Sequence, residues 1–336
     1  MKRDYTSDTL RTIAALMVVL VHVVADYVNL AMKSDNFNLS FWVSNIVDSF
    51  CRICLPIFVM ISGMFLLGRT ETFRDSYRKR ASKILIPLIF WTIIYLVYLV
   101  VLRLFAGVDP DADTLLKSVI LGQPFYHMWY LYMLIGLYFV TPLINLVIPK
   151  VSRQSLWVTA IVFLIFGIVH NIYNLVLENN LMFLLWFTDY LGYFLFGYLI
   201  RDCKARISSS ALVLFYIISA ALISVLSYYT ASQHNNLYFY GPLSPLVALG
   251  SLSFFSWFRR FSLNENIFSK ISHLTFGIYL IHAGVLHLLA YLLKTYDIHM
   301  FDNIFIGIPV KFTFALFISL SISWLFYKSP ILRRTV

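Results

Sequence analysis

Ten stretches of roughly 20 mostly apolar residues follow one another along this chain, at 9–30, 43–67, 84–106, 128–148, 156–177, 181–200, 210–230, 241–258, 271–293 and 304–327. A helix needs about 20 such residues to cross the hydrocarbon of a bilayer. It also satisfies its own backbone polar groups there, which an open strand or loop does not. The expected fold is therefore all-α, a polytopic membrane protein of about ten transmembrane helices, with 241–258 the shortest. The composition agrees: of 336 residues 60% are hydrophobic and 12% charged, against about 25% charged in a soluble domain. Mean hydropathy is +0.79. No repeat, low-complexity tract or long linker divides the chain, so 1–336 reads as a single integral membrane domain with no fused soluble domain.

A net charge of +10 would suit a nucleic-acid partner if it formed a groove. Instead the basic residues fall in short segments between apolar runs, which is the footprint of membrane orientation, so no nucleic acid is expected. With the N-terminus inside, the inner segments hold Lys2, Arg3, Arg69, Arg74, Arg78, Lys79, Arg80, Lys83, Lys150, Arg153, Arg201, Lys204, Arg206, Arg259, Arg260, Lys270, Lys328, Arg333 and Arg334. Those are 19 of the 26 basic residues. The outer segments, near 104–127, 178–180, 231–240 and 294–303, are poor in them and include Asp109, Asp111 and Asp113. Miscounting one span would scramble this alternation. Both chain ends are thus expected in the cytoplasm.

The first run superficially resembles a signal peptide, but it is long, carries His22 and Asp26, and lacks a small-residue cleavage site. It reads as a retained first span. Three cysteines are too few for a disulfide framework, and the isolated Cys51-x-x-Cys54 inside an apolar run reads as packing.

Ionisable side chains at membrane depth are costly and tend to face a protein-lined cavity. Arg11 and His22 are eleven residues apart, which on a helix returns to nearly the same face after a rise of about 16 Å. Asp26 follows at i+4, where it can orient or charge-stabilise the imidazole. Asp48 and Arg52 form an i,i+4 pair on the second span, which as an alternative is a structural ion pair. His282 lies near mid-depth of the ninth span, with His287 nearer the outside. His127 opens the fourth span among Tyr126, Met128, Trp129 and Tyr130. Each histidine alone also suits interhelical hydrogen bonding or an interfacial aromatic belt. His282 and His287 are five apart, about 140° round a helix, so they do not form a metal pair and no metal is expected. The loop from Arg69 to Lys83 is the most basic. Orientation and attraction to anionic lipid explain most of that charge, while a cytosolic phosphate ligand is the sharper reading.

Several of these segments resemble membrane acyltransferase family 3, and in length and layout its stand-alone O-acetyltransferases of the enterobacterial-common-antigen type. The resemblance covers nearly the whole chain. Its most specific element is Arg, ten intervening residues and His on the first span, matched by Arg11 and His22. It continues through Asp48-Ser49-Phe50-Cys51-Arg52, Pro56-Ile57-Phe58 and Ile61-Ser62-Gly63, then Phe125-Tyr126-His127-Met128-Trp129, Thr141-Pro142-Leu143 and Phe276-Gly277-Ile278-Tyr279-Leu280-Ile281-His282. Where the family often has Arg-x-x-Arg before the third span, this chain has Arg80-Ala81-Ser82-Lys83, keeping the charge but losing one bidentate fork.

The resemblance implies transfer of an acyl group, usually acetyl, from cytosolic acetyl-CoA to a hydroxyl of a glycan or lipid-linked saccharide outside. The setting it implies is a bacterial cytoplasmic membrane. In that reading Arg11, Arg78, Arg80 and Lys83 hold the phosphates of CoA. His22 acts as general base or carries the acyl group, Asp26 orients it, and Arg52 polarises the thioester carbonyl or binds sugar. Asp48, Tyr126, His127, Trp129 and His282 line the acceptor side. The rival from another class is a secondary transporter or glycan exporter that uses the same charges as a proton relay. No inverted repeat or paired broken helices speak for it. A scaffold or sensor would leave the Arg11–His22–Asp26 stripe without a purpose.

Overall fold

The computed structural model describes residues 3–177, 185–203, 207–298, 301 and 303–336. Lys2, Lys204 and Arg206 of the basic segments, the loop 178–180 and the start of the sixth run at 181–184 lie outside the described residues. Among the described residues the regular structure is helical: α1 (Tyr5–Ser34), α2 (Leu39–Cys51), α3 (Cys54–Leu66), α4 (Phe73–Phe105), α5 (Ala112–Ile120), α6 (Trp129–Val147), α7 (Arg153–Leu177), α8 (Trp186–Asp189), α9 (Leu191–Arg201), α10 (Ser209–His234), α11 (Pro245–Phe258), α12 (Ile267–Ile271), α13 (Thr275–Thr295) and α14 (Ile304–Lys328), with short 3-10 turns between some of them. Among the described residues, eight helical segments are long and apolar enough to cross a membrane. The sixth and eighth runs instead contain the shorter helices α8, α9 and α11.

Local chemistry sets the boundaries that matter for function. Asp4 caps α1, accepting from the Ser7 backbone N–H at 3.0 Å and the Ser7 hydroxyl at 2.6 Å. From there α1 runs unbroken for 30 residues. The second run is not one helix but two. Pro56 stands in the first turn of α3 and has no N–H to give the carbonyl of Arg52, so α2 ends at Cys51 and α3 starts at Cys54. Arg52 sits at that break, where backbone departs from the helix inside the bundle.

Between apolar helices in lipid, close approach takes the place of hydrophobic burial. The contact of α3 with α9 shows this most clearly. A Cβ on Gly63 would meet the carbonyl oxygen of Phe194 at 1.8 Å, and one on Gly197 would meet that of Met60 at 1.9 Å. The two backbones touch through reciprocal glycines. Ile89, Ile93 and Val97 of α4 form an exposed apolar stripe suited to lipid.

Segments predicted to share a side do lie together. At one end Arg3 donates to the Ser269 carbonyl at 2.7 Å, Arg259 pairs with Asp4 at 2.8 Å and Arg260 donates to Ser209 at 2.9 Å. Asn145 donates to the Leu66 carbonyl at 3.0 Å, Arg153 to that of Leu199 at 2.8 Å and Arg201 to that of Met64 at 3.3 Å. At the other end Tyr27 donates to the Phe301 carbonyl at 2.8 Å, and Tyr193, early in α9, to that of Pro242 at 2.7 Å. We call these the basic end and the far end. α1 packs on α2, α3, α12, α13 and α14, which makes it the axis of the site.

Candidate functional site

A cavity of about 160 Å³ lies beside α1 toward the far end. Its walls are Val18, Val21 and His22 of α1, Arg52 at the α2–α3 break, Cys54, Leu55 and Phe58 of α3, Tyr126 and His127 before α6, Trp129 and Tyr130 of α6, Tyr240 and Pro242, and Tyr279 of α13. Five predicted site residues, His22, Arg52, Tyr126, His127 and Trp129, therefore meet on one cavity.

Histidine is concentrated here. The ring of His22 lies 5.1 Å from that of His282 and 5.1 Å from that of Tyr126, centroid to centroid. His127 lies 5.5 Å from His282. His282 is fully buried, and its Nδ1 meets the Ile278 carbonyl at 3.1 Å. A carbonyl only accepts, so Nδ1 carries the proton and Nε2 presents a lone pair. That Nε2 is buried with no hydrogen-bond partner, and His127 is buried beside it. Buried polar atoms are usually satisfied, so an orphan beside a cavity marks a place for polar ligand atoms.

Arg52 is held rigidly. It donates to Asp48 at 2.5 Å and to the Tyr240 carbonyl at 3.4 Å, and its guanidinium lies 4.2 Å from the centre of the Tyr240 ring. Tyr240 in turn donates to Asn45 at 2.6 Å, and Asn45 to the Ser224 carbonyl at 2.9 Å. Asp48 is fully buried behind the cavity wall, with Oδ1 unpaired, as is Nε of Arg52. The pair is thus both structural and presented to the cavity.

Toward the basic end, Arg11 pairs with Asp8 at 3.6 Å and packs over Phe65 of α3. Its charge acts on Tyr130, which lines the cavity, and on Tyr138, which also faces Arg80. Arg11 and His22 therefore look toward α3 and α6 along a common face, as their spacing predicts. Arg80 is 6% exposed and its Nε and Nη1 are unpaired, whereas Arg78 and Lys83 are exposed. Glu71 gathers Arg69, Lys79 and Arg80 at 3.7, 3.6 and 3.4 Å. Four basic residues named from the sequence are thus divided: Arg11 packs on α3 and Arg80 is buried, whereas Arg78 and Lys83 lie on the surface.

One expected contact is not made. Among the described residues no hydrogen bond joins Asp26 to His22; Asp26 is exposed, and the charged groups acting on it are Lys311, His287 and Lys33. The i+4 step turns the helix 40°, enough to carry Asp26 off the cavity wall.

Sequence reasoning missed Tyr240, Tyr130, Tyr279 and Glu71. A signal for Tyr240 existed in Tyr240-Gly241-Pro242, a turn at the head of the shortest apolar run. Cys54, read as packing, is buried and also faces the cavity.

The family model described as an acyltransferase domain matches residues 4–328. Neither a curated protein nor a solved structure matches the chain.

Proposed function

The chain belongs to membrane acyltransferase family 3 and is a multi-pass membrane protein, and on that premise we propose that it moves an acetyl group from cytosolic acetyl-CoA to a hydroxyl of a glycan or lipid-linked saccharide on the outer side of a bacterial cytoplasmic membrane. Its layout on this reading is that of the enterobacterial-common-antigen type of O-acetyltransferase. The observation that carries the reading is the cavity that joins His22 and Arg52 between a basic end and an aromatic far end.

The topology proposed with it has ten crossings and both chain ends in the cytoplasm. Arg201 meets Met64 at the basic end while Tyr193 meets Pro242 at the far end, which supports a crossing that includes α9. Arg259 beside Asp4 gives α11 the same part. The basic residues of the first-end segments support placing that end in the cytoplasm.

Donor phosphates lie against Arg11 and Arg80, whose guanidinium groups suit phosphate by charge-assisted hydrogen bonds, with Arg78 and Lys83 adding charge at the surface. The thioester reaches the cavity past Tyr130. An acceptor hydroxyl comes from the far end, where Trp129, Tyr126 and Tyr240 offer ring faces to a sugar. The hydroxyl oxygen forms a bond to the carbonyl carbon as His22 takes its proton. Arg52, fixed by Asp48 and Tyr240, faces the developing oxyanion. Collapse breaks the carbon–sulfur bond, and the CoA thiolate leaves with the proton from His22. The alternative order, with acetyl first on His22, uses the same groups. His282 packs against His22 at 5.1 Å between ring centres, and its unpaired Nε2 is left to accept from a ligand.

The test is transfer in proteoliposomes from acetyl-CoA labelled in its acetyl group to saccharides extracted from the producing membrane. Label should appear in the saccharide only with acetyl-CoA on the side of the basic end. Proton-coupled solute flux without any label transfer would replace this reading with the transporter.

A further inference from the structure

The helix α4 has two faces. Ile89, Ile93 and Val97 are open to lipid, while Leu88, Trp91 and Tyr95 recur at three- and four-residue steps on the opposite side and are buried. Each buried aromatic of this second face carries a polar atom that needs a partner. Trp91 donates its indole N–H to the Thr335 carbonyl at 2.8 Å. Tyr95 spends its hydroxyl on α13, donating to the Leu280 carbonyl at 2.5 Å and accepting from the Gly284 N–H at 3.3 Å.

Those two backbone groups are four residues apart, so they form one rung of the helix ladder. A hydroxyl has one proton to give and two lone pairs, and can hold both ends of such a rung. Between the ends stand Ile281, His282 and Ala283. A second tyrosine, Tyr126, donates to the Ala283 carbonyl at 3.5 Å. Gly284 makes the approach possible: a Cβ there would stand 3.1 Å from Cε1 of Tyr95 and 3.2 Å from its hydroxyl. A side chain that enters the ladder sets the local bend of a helix. The turn that carries His282 is therefore shaped from α4.

The Tyr95 ring reaches the same histidine by another route. It stacks on Phe125 at 4.3 Å and 13°, and stands edge-on to His127 at 5.3 Å. His127 lies 5.5 Å from His282, and His282 lies 5.1 Å from His22. Tyr95 is 3% exposed and is not part of the cavity wall. Whatever it does for His22 passes through His282.

We propose that Tyr95 is a positioning residue for acyl transfer, its hydroxyl fixing the turn of α13 that sets His282 against His22. The inference rests on the acyl-transfer reading for the step it serves, but the setting of His282 can be read without transfer. Tyr95→Phe keeps the stacked ring and returns Leu280 and Gly284 to an ordinary helix bond. The helix should persist while the placement of His282 changes.

The test compares Tyr95→Phe, His282→Gln and the double variant in proteoliposomes with labelled acetyl-CoA and saccharides extracted from the producing membrane. Tyr95→Phe should be monodisperse and lower kcat about tenfold, the scale of one hydrogen bond, with the KM for acetyl-CoA unchanged. The double variant should be no slower than His282→Gln alone, because residues acting through one contact are not additive. Losses that multiply, or a wild-type kcat in Tyr95→Phe, would overturn the proposal. Where Tyr95→Phe does not fold, Gly284→Ala, whose methyl group presses on the Tyr95 ring, takes its place. Failure of both to fold makes Tyr95 a structural strut and also overturns it. NMR of protein carrying isotope-labelled histidine nitrogens gives the independent reading: the His282 signals, identified by their absence from His282→Gln, should move or split in Tyr95→Phe. Moved signals in a protein that transfers no acetyl group would keep the clamp and remove the transfer reading. Unmoved signals would remove the clamp.

Discussion

The imidazole of His22 on α1 faces that of His282 on α13 at 5.1 Å between ring centres, with the inner ring fixed by the Ile278 carbonyl and the outer one lining the cavity. On the acyl-transfer proposal one histidine meets substrate and the other sets its surroundings.

Their substitutions should therefore differ in kind. His22→Ala should leave a monodisperse protein and lower acetyl transfer by roughly 10²–10⁴-fold, the usual loss for a general base. His282→Gln should lower transfer less and displace the pH–rate profile, because it alters the field around His22. Transfer measured with labelled acetyl-CoA from pH 5 to 9 reads both. Near wild-type transfer by a folded His22→Ala protein would end the mechanism.

Asp48 and Arg52 separate stability from chemistry. Removing one partner of a buried pair leaves a charge uncompensated, at a cost of about 3–5 kcal/mol. Asp48→Ala should thus lower the thermal midpoint strongly in detergent. Arg52→Lys keeps the charge but loses the planar fork that reaches both Asp48 and Tyr240. It should fold and transfer poorly, and a midpoint as low as that of Asp48→Ala would show the pair to be structural only.

Glu71 holds Arg69, Lys79 and Arg80, so it competes with any phosphate for the same donors. Arg80→Ala should weaken CoA binding roughly tenfold or more, the scale of a hydrogen bond to a charged group. Glu71→Gln should tighten it. Both differences should shrink as salt rises. Calorimetric titration of CoA into purified protein at two salt concentrations checks them, and unaltered affinity in Arg80→Ala would assign the cluster to orientation alone.

Asp4 predicts an acid response at the basic end. Burial pushes its carboxyl up, but the hydrogen bonds from Ser7 and the charge of Arg259 outweigh that and hold it below the usual 3.8. A carboxyl lowered on folding adds stability that is complete above its unfolded value and is lost as pH falls through the folded one. Asp4→Asn keeps the helix cap and removes the charge, so its melting midpoint should fall less than that of wild type between pH 5 and 3. Asp4→Ala should in addition cost about 0.5–2 kcal/mol at neutral pH for the lost cap. Parallel curves for Asp4→Asn and wild type would show that the Arg259 pair carries none of the response.

Much of the site was legible because it hangs on an uninterrupted helix. Arg11 and His22 could be aligned by counting, since nothing in α1 breaks the 3.6-residue period. The same counting misled at Asp26, where 40° of rotation separates a cavity wall from a flank. Tyr240 was not legible: it reaches Arg52 from a 3-10 turn 188 residues away, and only tertiary packing fixes such a turn. Length alone could not tell that the second apolar run breaks at Arg52, although Pro56 marked the place. Nor could it show that reciprocal glycines would hold the short helix α9 against α3.

The stitching of α1 to the late part of the chain has a consequence for how the protein is made. Arg3, Asp4, Thr6, Thr9 and Thr12 hydrogen-bond to residues between Arg259 and Ser269, some 250 positions downstream. A chain emerges from the ribosome N-terminus first. The helix bearing Arg11, His22 and Asp26 thus enters the bilayer before any of these partners exists, and it keeps polar groups unmatched until α12 to α14 arrive. Biogenesis ends where the chemistry begins. A nascent chain stopped before residue 259 leaves the leading polar residues of that helix, Thr6, Thr9 and Thr12, without the late partners that seal them.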